Sequence, residues 1–286
     1  MTRARPALEA RPSPRIAGIL NLTPDSFSDG GRFAEQRSAI DHALRMVEEG
    51  ADLIEVGGES TRPGSLPVAA AEQTRRVLGV IEGLCTRLPP HVPISIDTTR
   101  AEVAEAALGA GASLINDVSA GRHDPRMFGV AAASGVPLVL THMQGTPATM
   151  QQDPRYEDVV EEVRAFLLER ARAAEAAGIA PQNLIIDPGI GFGKTREHNL
   201  TLLARLGCLV DTGYAVMLAA SRKRFMGSVC AEQEPSRLVG ATCATTALGV
   251  RAGVGWFRVH DVRPNRQAAD VAHAVASADQ GRRLST

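Results

Sequence analysis

Cysteine is scarce in this chain: four in 286 residues, and Cys85, Cys208, Cys230 and Cys243 form neither a C-x-x-C pair nor a His/Cys cluster at zinc-finger spacing. That excludes a disulfide scaffold and a zinc-finger site, and leaves reduced thiols in a cytoplasmic protein as the expectation. No apolar run approaches the roughly 18 residues of a membrane-spanning helix. The opening MTRARPALEARPSPR is rich in Arg and Pro but lacks the apolar stretch of a signal peptide, so residues 1–15 read as an irregular tail. Charge of one sign is also missing. With 31 Lys and Arg against 32 Asp and Glu, the chain has no bulk field to hold a nucleic acid or an anionic membrane, and neither is expected as a partner. Any anionic ligand must be held by a local cluster. Several catalytic signatures are absent as well: there is no G-x-S-x-G elbow and no H-E-x-x-H helix. DPGIGFGKT fails as a phosphate-binding P-loop because Pro188 stands where the first glycine belongs. It fails as G-x-G-x-x-G because Lys194 takes the third glycine's place.

What is present is the composition of a soluble globular chain, 44% hydrophobic and 22% charged with 27 Gly and 17 Pro. At roughly 150 residues per domain the length allows one or two domains, and single α/β barrels reach it routinely. From residue 16 to about 278, short apolar runs alternate with longer helical patterns. The runs predict strands at 16–20, 53–56, 94–96, 114–116, 138–141, 184–186, 216–219 and 256–259. Between them, segments such as SAIDHALRMVEEG and DVVEEVRAFLLERARAAEAAG repeat apolar residues at three- and four-residue spacing and often stop at Gly. Eight βα units predict an α/β fold of one closed (β/α)8 TIM barrel over residues 16–280, with 281–286 as a short tail. An open doubly wound sheet usually has fewer strands and a glycine fingerprint after the first.

In such barrels the active site is built at the C-terminal ends of the strands. The polar residues just after each run are Asn21; Glu59, Thr61 and Arg62; Asp97; Asn116 and Asp117; His142 beside Met143; Asp187; Ser221, Arg222 and Lys223; and Arg258 with His260. Every strand contributes, although Asp97 or Asp187 alone would equally suit a helix cap. The loops NLTPDSFSDGGRF and GGESTRPGSLP exceed the usual two to six residues and suit mobile lids. In DPGIGFGKT, Gly189 and Gly191 would let backbone lie close to a flat ligand, with Asp187 facing the mouth and Lys194 solvated. His42, His91, His123, His198 and His273 read as surface residues. Arg258 and His260 share a strand face and, with Arg62, would form a local anion site; the competing reading is a structural ion pair with Asp261. Two carboxylates (Asp97, Asp187), an amide (Asn116) and Lys223 suit a planar heterocycle such as a pterin or purine. Asn21, Arg62, Arg258 and His260 suit a phosphate, with Asn21 offering a neutral oxygen to Mg²⁺.

The blocks GILNLTPDSFSDGG, GADLIEVGGESTRPG, ISIDTT, GASLINDVSAG, THMQGTPATMQ, IIDPGIGFGK, SRKRFMG and FRVHDV, in this order from Ile16 to about Arg266, resemble the dihydropteroate synthase family. These are the folate-pathway enzymes that sulfonamides target. The resemblance implies a (β/α)8 barrel in which a 6-hydroxymethyl-7,8-dihydropterin pyrophosphate reacts with p-aminobenzoate, giving 7,8-dihydropteroate and pyrophosphate by a dissociative, Mg²⁺-assisted substitution. It implies that Asp97, Asn116, Asp187 and Lys223 hold the pterin, with Met143, Gly191 and Phe192 near its ring. Asn21 would meet Mg²⁺ and pyrophosphate, and Arg62, Arg258 and His260 the diphosphate. Thr61, Arg62, Pro63, Phe192, Ser221 and Lys223 would border the aminobenzoate, with Phe27 closing over it. Asp97, Lys223, Arg258 and His260 would carry the chemistry, in a homodimer by family habit. One departure is Ala219, in Leu218-Ala219-Ala220, where many relatives have Gly before S-R-K; its methyl would reach the pterin floor. A methyltetrahydrofolate methyltransferase-like barrel would share the pterin ligands but has no use for a diphosphate cluster. A non-catalytic pterin-binding homologue would lack equivalents of Asn21, Lys223, Arg258 or His260, and all are present.

Overall fold

A computed structural model describes residues 13–22, 31–61 and 64–283. Its strands are β1 (Arg15–Asn21), β2 (Leu53–Gly57), β3 (Ile94–Asp97), β4 (Leu114–Asp117), β5 (Leu138–Thr141), β6 (Leu184–Asp187), β7 (Ala215–Leu218) and β8 (Trp256–Val259). They pair in parallel and in chain order, and β8 returns to β1, closing the barrel expected from the eight apolar runs. Each strand lies within one residue of its predicted ends. The helices that return the chain are α1 (Gly31–Glu48), α2 (Ala70–Arg87), α3 (Ala101–Gly109), α4 (Met127–Ser134), α5 (Val159–Ala176), α6 (Arg196–Ala204), α7 (Gly207–Val210), α8 (Arg224–Cys230), α9 (Val239–Ala252) and α10 (Val262–Arg283). The last helix runs three residues beyond the boundary at 280 read from the sequence.

The period of two along each strand sorts the side chains into layers. Outward residues such as Ile54, Val56, Ile94, Ile96, Leu138, Leu140 and Ile186 join the helices in one core. Helix α5 shows how: Val160, Val163, Leu167, Ala171 and Ala174 recur on its buried face, and Asp158 caps its start by accepting from the N–H groups of Val160 and Glu161. Inward, Ala17, Leu53, Leu114, Val139, Ile185, Met217 and Trp256 plug the lower half of the barrel. Toward the C-terminal ends the inward face turns polar, and one row across adjacent strands runs Asn21, Gly57, Asp97, Asn116.

The loop from β6 to α6 is built from its own glycines and one buried cation. Gly189 has φ +66°, and a Cβ there would fall 1.8 Å from the His142 carbonyl oxygen; at Gly193, with φ +62°, it would fall 2.5 Å from that of Gln144. These two glycines therefore serve the approach of loop to loop, not of loop to ligand. Lys194, expected in solvent, is 3% exposed. Its Nζ donates to the carbonyls of Gly189 (3.1 Å) and Phe192 (3.0 Å) and meets His142 Nδ1 at 2.9 Å. The sequence reading missed this because a lysine after Gly-rich turn residues looks like surface; only the paths of the β5 and β6 loops enclose it. Asn199 Oδ1 accepts from Gly191 N–H (2.7 Å), and the Tyr156 hydroxyl donates to the Gly193 carbonyl (2.7 Å). Nor is His198 a free surface group: it is the third residue of α6 and completes a capping box with Thr195.

Burial pushes the Lys194 ammonium down to about 7 and the His142 imidazolium down to about 2, so His142 is neutral and accepts at Nδ1. Between about pH 7 and about pH 10, an unfolded chain then holds more protons at Lys194 than the folded one, and this group makes unfolding free energy rise with pH. Lys194→Met removes the titration and is expected to flatten that rise. Urea unfolding of both chains across this range measures it, and equal slopes would show that the ammonium is not held in a dry cage.

Candidate functional site

A cavity of about 650 Å³ opens at the C-terminal ends of the strands. Asn21, Thr61, Asp97, Gly191, Phe192, Ser221, Lys223, Arg258 and His260 all line it, drawn from both ends of the chain as the closed barrel requires. Ala219, the departure noted in the sequence, lines it too and is 8% exposed. Asn116 and Asp187 belong to the same inward layer but are buried, 3% and 2% exposed, and do not border the open volume. Met143 packs with Val118, Met150 and Phe192 as an apolar wall. Phe27, Arg62 and Pro63 lie outside the described residues.

The polar layer is a linked set of charges. The Arg258 guanidinium donates through Nε to Glu55 Oε1 and through Nη2 to Asp97 Oδ2 at 2.8 Å. The other Glu55 oxygen, Oε2, accepts from Asn116 Nδ2 at 3.0 Å, and Asn116 Oδ1 is buried without a partner. Arg258 is therefore engaged by two carboxylates while it also lines the cavity. Asp97 caps no helix; the N–H at the start of α3 is taken by Asp124. Burial raises the Asp97 carboxyl, Arg258 opposes the rise, and the carboxylates of Glu55, Asp117 and Glu59 add to it. Asp187 accepts from Gly189 N–H at 2.7 Å, yet burial still pushes its carboxyl up to about 6. Lys223 Nζ lies 4.0 Å from the centre of the Phe192 ring, and burial, with help from Arg258, pushes it down to about 8. Asp117 is bound up locally by Ser119 and Gly121 and does not join the ring.

The S-R-K turn depends on one strained residue. Arg222 has φ +56°, a left-handed conformation that costs a non-glycine residue about 1 kcal/mol or more. Its backbone N–H donates to Thr242 Oγ1 (3.1 Å), and its guanidinium grips both oxygens of Asp261 (2.9 and 2.6 Å). Asp261 therefore serves Arg222. The turn sets Ser221 and Lys223, on either side of Arg222, on the cavity wall; Ser221 Oγ meets His260 Nδ1 at 3.0 Å and accepts from its backbone N–H at 3.2 Å.

Glu55 is the residue that a search for polar groups after each strand overlooks, because it lies inside the apolar run LIEV. The signal was available in the alternation: Leu53 faces inward, so Glu55 and Gly57 must as well.

A family model described as pterin binding enzyme matches residues 17–260. The chain is 45% identical over 266 residues to the dihydropteroate synthase of Mycobacterium leprae (strain TN), covering 91% of this chain and 93% of that protein. The dihydropteroate synthase of Xanthomonas albilineans solved with 4-aminobenzoic acid matches with TM-score 0.86 and 46% identity, over 92% of this chain and 93% of that one. A structure of the enzyme from that species in complex with 7,8-dihydropteroate matches with TM-score 0.83 and 44% identity over the same shares. In sequence over nearly its whole length, and in fold, this chain belongs to the dihydropteroate synthase family of pterin-binding enzymes, transferases of folate synthesis.

Proposed function

We propose that the cavity condenses 6-hydroxymethyl-7,8-dihydropterin pyrophosphate with p-aminobenzoate, releasing pyrophosphate and 7,8-dihydropteroate. The observation that carries this reading is the buried, unpartnered Asn116 Oδ1, set in one layer with the Asp97 and Asp187 carboxylates. Such a run of acceptors suits the N–H-rich edge of a pterin, and the Lys223 ammonium suits its carbonyl. Phe192 and Met143 would pack against the ring. Thr61, Ser221, Lys223 and Phe192 would border the aminobenzoate, joined by Phe27, Arg62 and Pro63 from the two long loops.

Bond breaking comes first: the carbon–oxygen bond to pyrophosphate opens, its electron pair leaves with pyrophosphate, and the electron-rich dihydropterin delocalises the positive charge. Asp97, ionised beside that cation, stabilises it. Arg258 and His260 face the departing diphosphate. The aniline nitrogen, unprotonated at neutral pH, then forms the new carbon–nitrogen bond and gives its proton to water. The layer holds three carboxylates, Glu55, Asp97 and Asp187, against Lys223 and Arg258, so a diphosphate needs further positive charge. Asn21 Oδ1 lies beside Asp97: a Cβ on Gly57 would meet it at 3.7 Å and Asp97 Oδ2 at 3.8 Å. Among the described residues no group of three or more His, Cys, Asp or Glu forms a metal cage. A neutral oxygen without a cage fits Mg²⁺, which binds through few protein oxygens, water and substrate phosphates, and would neutralise the leaving pyrophosphate.

A homodimer is supported by exposed apolar side chains on the last two helices: Leu248 on α9 and Val271 and Val275 on α10 are 56%, 66% and 52% exposed. Among the described residues no helix is long and apolar enough to cross a membrane, and all four cysteines are free, in keeping with a cytoplasmic location.

Pyrophosphate release that requires both p-aminobenzoate and Mg²⁺ is the expected activity, and its absence would sink the reading. Asp97→Asn is expected to lower turnover about 100-fold or more; near-normal turnover would remove Asp97 from the cationic step. Sedimentation should show a dimer that Leu248→Asp with Val271→Asp converts to a monomer, and a wild-type monomer would refute the assignment of that face.

A further inference from the structure

Glu55 takes no part in the chemistry above, yet it is 1% exposed and both its oxygens are engaged, one by Arg258 Nε and the other by Asn116 Nδ2. A primary amide fits its site in two orientations of nearly equal shape, and its neighbours decide which is adopted. Among the described residues, the Asn116 amide is held by Glu55, which accepts from Nδ2. A carboxylate can only accept, so it holds Nδ2 and leaves Oδ1 as the acceptor without a protein partner. The same carboxylate holds Arg258 by Nε, which lies on the inner edge of the guanidinium and leaves Nη2 on Asp97.

We propose that Glu55 is a positioning residue for the pterin half of the site, fixing the Asn116 amide with its acceptor toward the ligand and anchoring Arg258 so that only its outer nitrogens exchange between Asp97 and substrate. The proposal rests on reading the cavity as a pterin site. Its consequence is a pattern of donors and acceptors that can be inverted and then restored. In Glu55→Gln the new side chain has one acceptor and one donor. Keeping its oxygen on the cationic Arg258 Nε turns its amide nitrogen toward Asn116, which must flip and offer Nδ2 to the ligand. In Asn116→Asp the two carboxylates of residues 55 and 116 oppose each other. With both changes together, the Gln oxygen keeps Arg258, the Gln nitrogen donates to the Asp carboxylate, and the second Asp oxygen faces the ligand as an acceptor again.

Binding of 6-hydroxymethylpterin, which has no diphosphate, to the full-length wild-type, single and double variants tests this by ligand fluorescence, with thermal melting as the check on folding. Each single change is expected to weaken binding about 10- to 100-fold, Glu55→Gln because a ligand N–H meets a donor in place of an acceptor and Asn116→Asp because two buried carboxylates oppose each other. The double variant is expected within about 3-fold of wild type, a coupling that independent structural damage would not produce. In the assay of pyrophosphate release, KM for p-aminobenzoate should stay unchanged in Glu55→Gln while kcat/KM for the pterin substrate falls. Wild-type binding in Glu55→Gln, or a double variant that binds no better than the singles or does not fold, overturns the proposal. If the wild-type chain itself does not bind the pterin, the pterin reading fails and this inference falls with it.

Discussion

The Arg258 guanidinium, held between Glu55 and Asp97 inside the barrel, is the interaction on which the site depends. In a parallel eight-stranded barrel the interior is just wide enough to be filled by inward side chains, so each layer must satisfy itself. The lower layer does so with Leu, Val, Ile, Met and Trp. The upper one cannot, because its positions are Asn21, Glu55, Asp97, Asn116, Asp187 and Arg258. Buried charges there are tolerable only when paired, and the pairing is nearly complete. What is left over is one amide oxygen and the outer edges of two carboxylates, which is where a ligand rich in N–H groups has something to gain.

That layer would be useless if its rim drifted, and two devices outside it hold the rim. On one side, the left-handed Arg222 is clamped by Asp261 and Thr242, which ties the loop after β7 to the loop after β8 and brings Ser221 against His260. On the other, Lys194 gathers two carbonyls of its own loop and His142 of the preceding one, so that Gly191 and Phe192 are held where they meet Lys223. Both spend an otherwise unfavourable element, a strained backbone in one case and a desolvated ammonium in the other, on the placement of neighbours.

The strands were legible in the sequence because each is a short apolar run with Gly-, Pro- or Asp-rich punctuation, and the ring at the mouth because most of its members directly follow those runs. Glu55 and Lys194 were not, for opposite reasons. Glu55 is hidden inside an apolar run, where only the face it shares with Leu53 and Gly57 reveals it. Lys194 is conspicuous in a polar turn, where nothing local reports that a second loop will close over it. Arg222 was visible as a residue but not as a strained one, since its partner Asp261 lies 39 positions away. Contacts between neighbouring strands are written in periodicity; contacts between loops are written only in the closed fold.

The same charge set bears on how the proposed diphosphate substrate would enter a layer that carries more carboxylates than cations. Arg258 is shared between Glu55 and Asp97, and burial raises the Asp97 carboxyl. A ligand does not fill a vacancy of charge; it exchanges partners. If the outer nitrogens of Arg258 turn from Asp97 to phosphate oxygens, the Asp97 carboxyl is raised further, and it is the positive pterin carbon forming beside it that keeps it ionised. The aspartate is then offered a replacement cation only along the reaction path, so its stabilisation is greater for the developing charge than for the bound substrate, which is the condition for lowering a barrier rather than deepening a ground state.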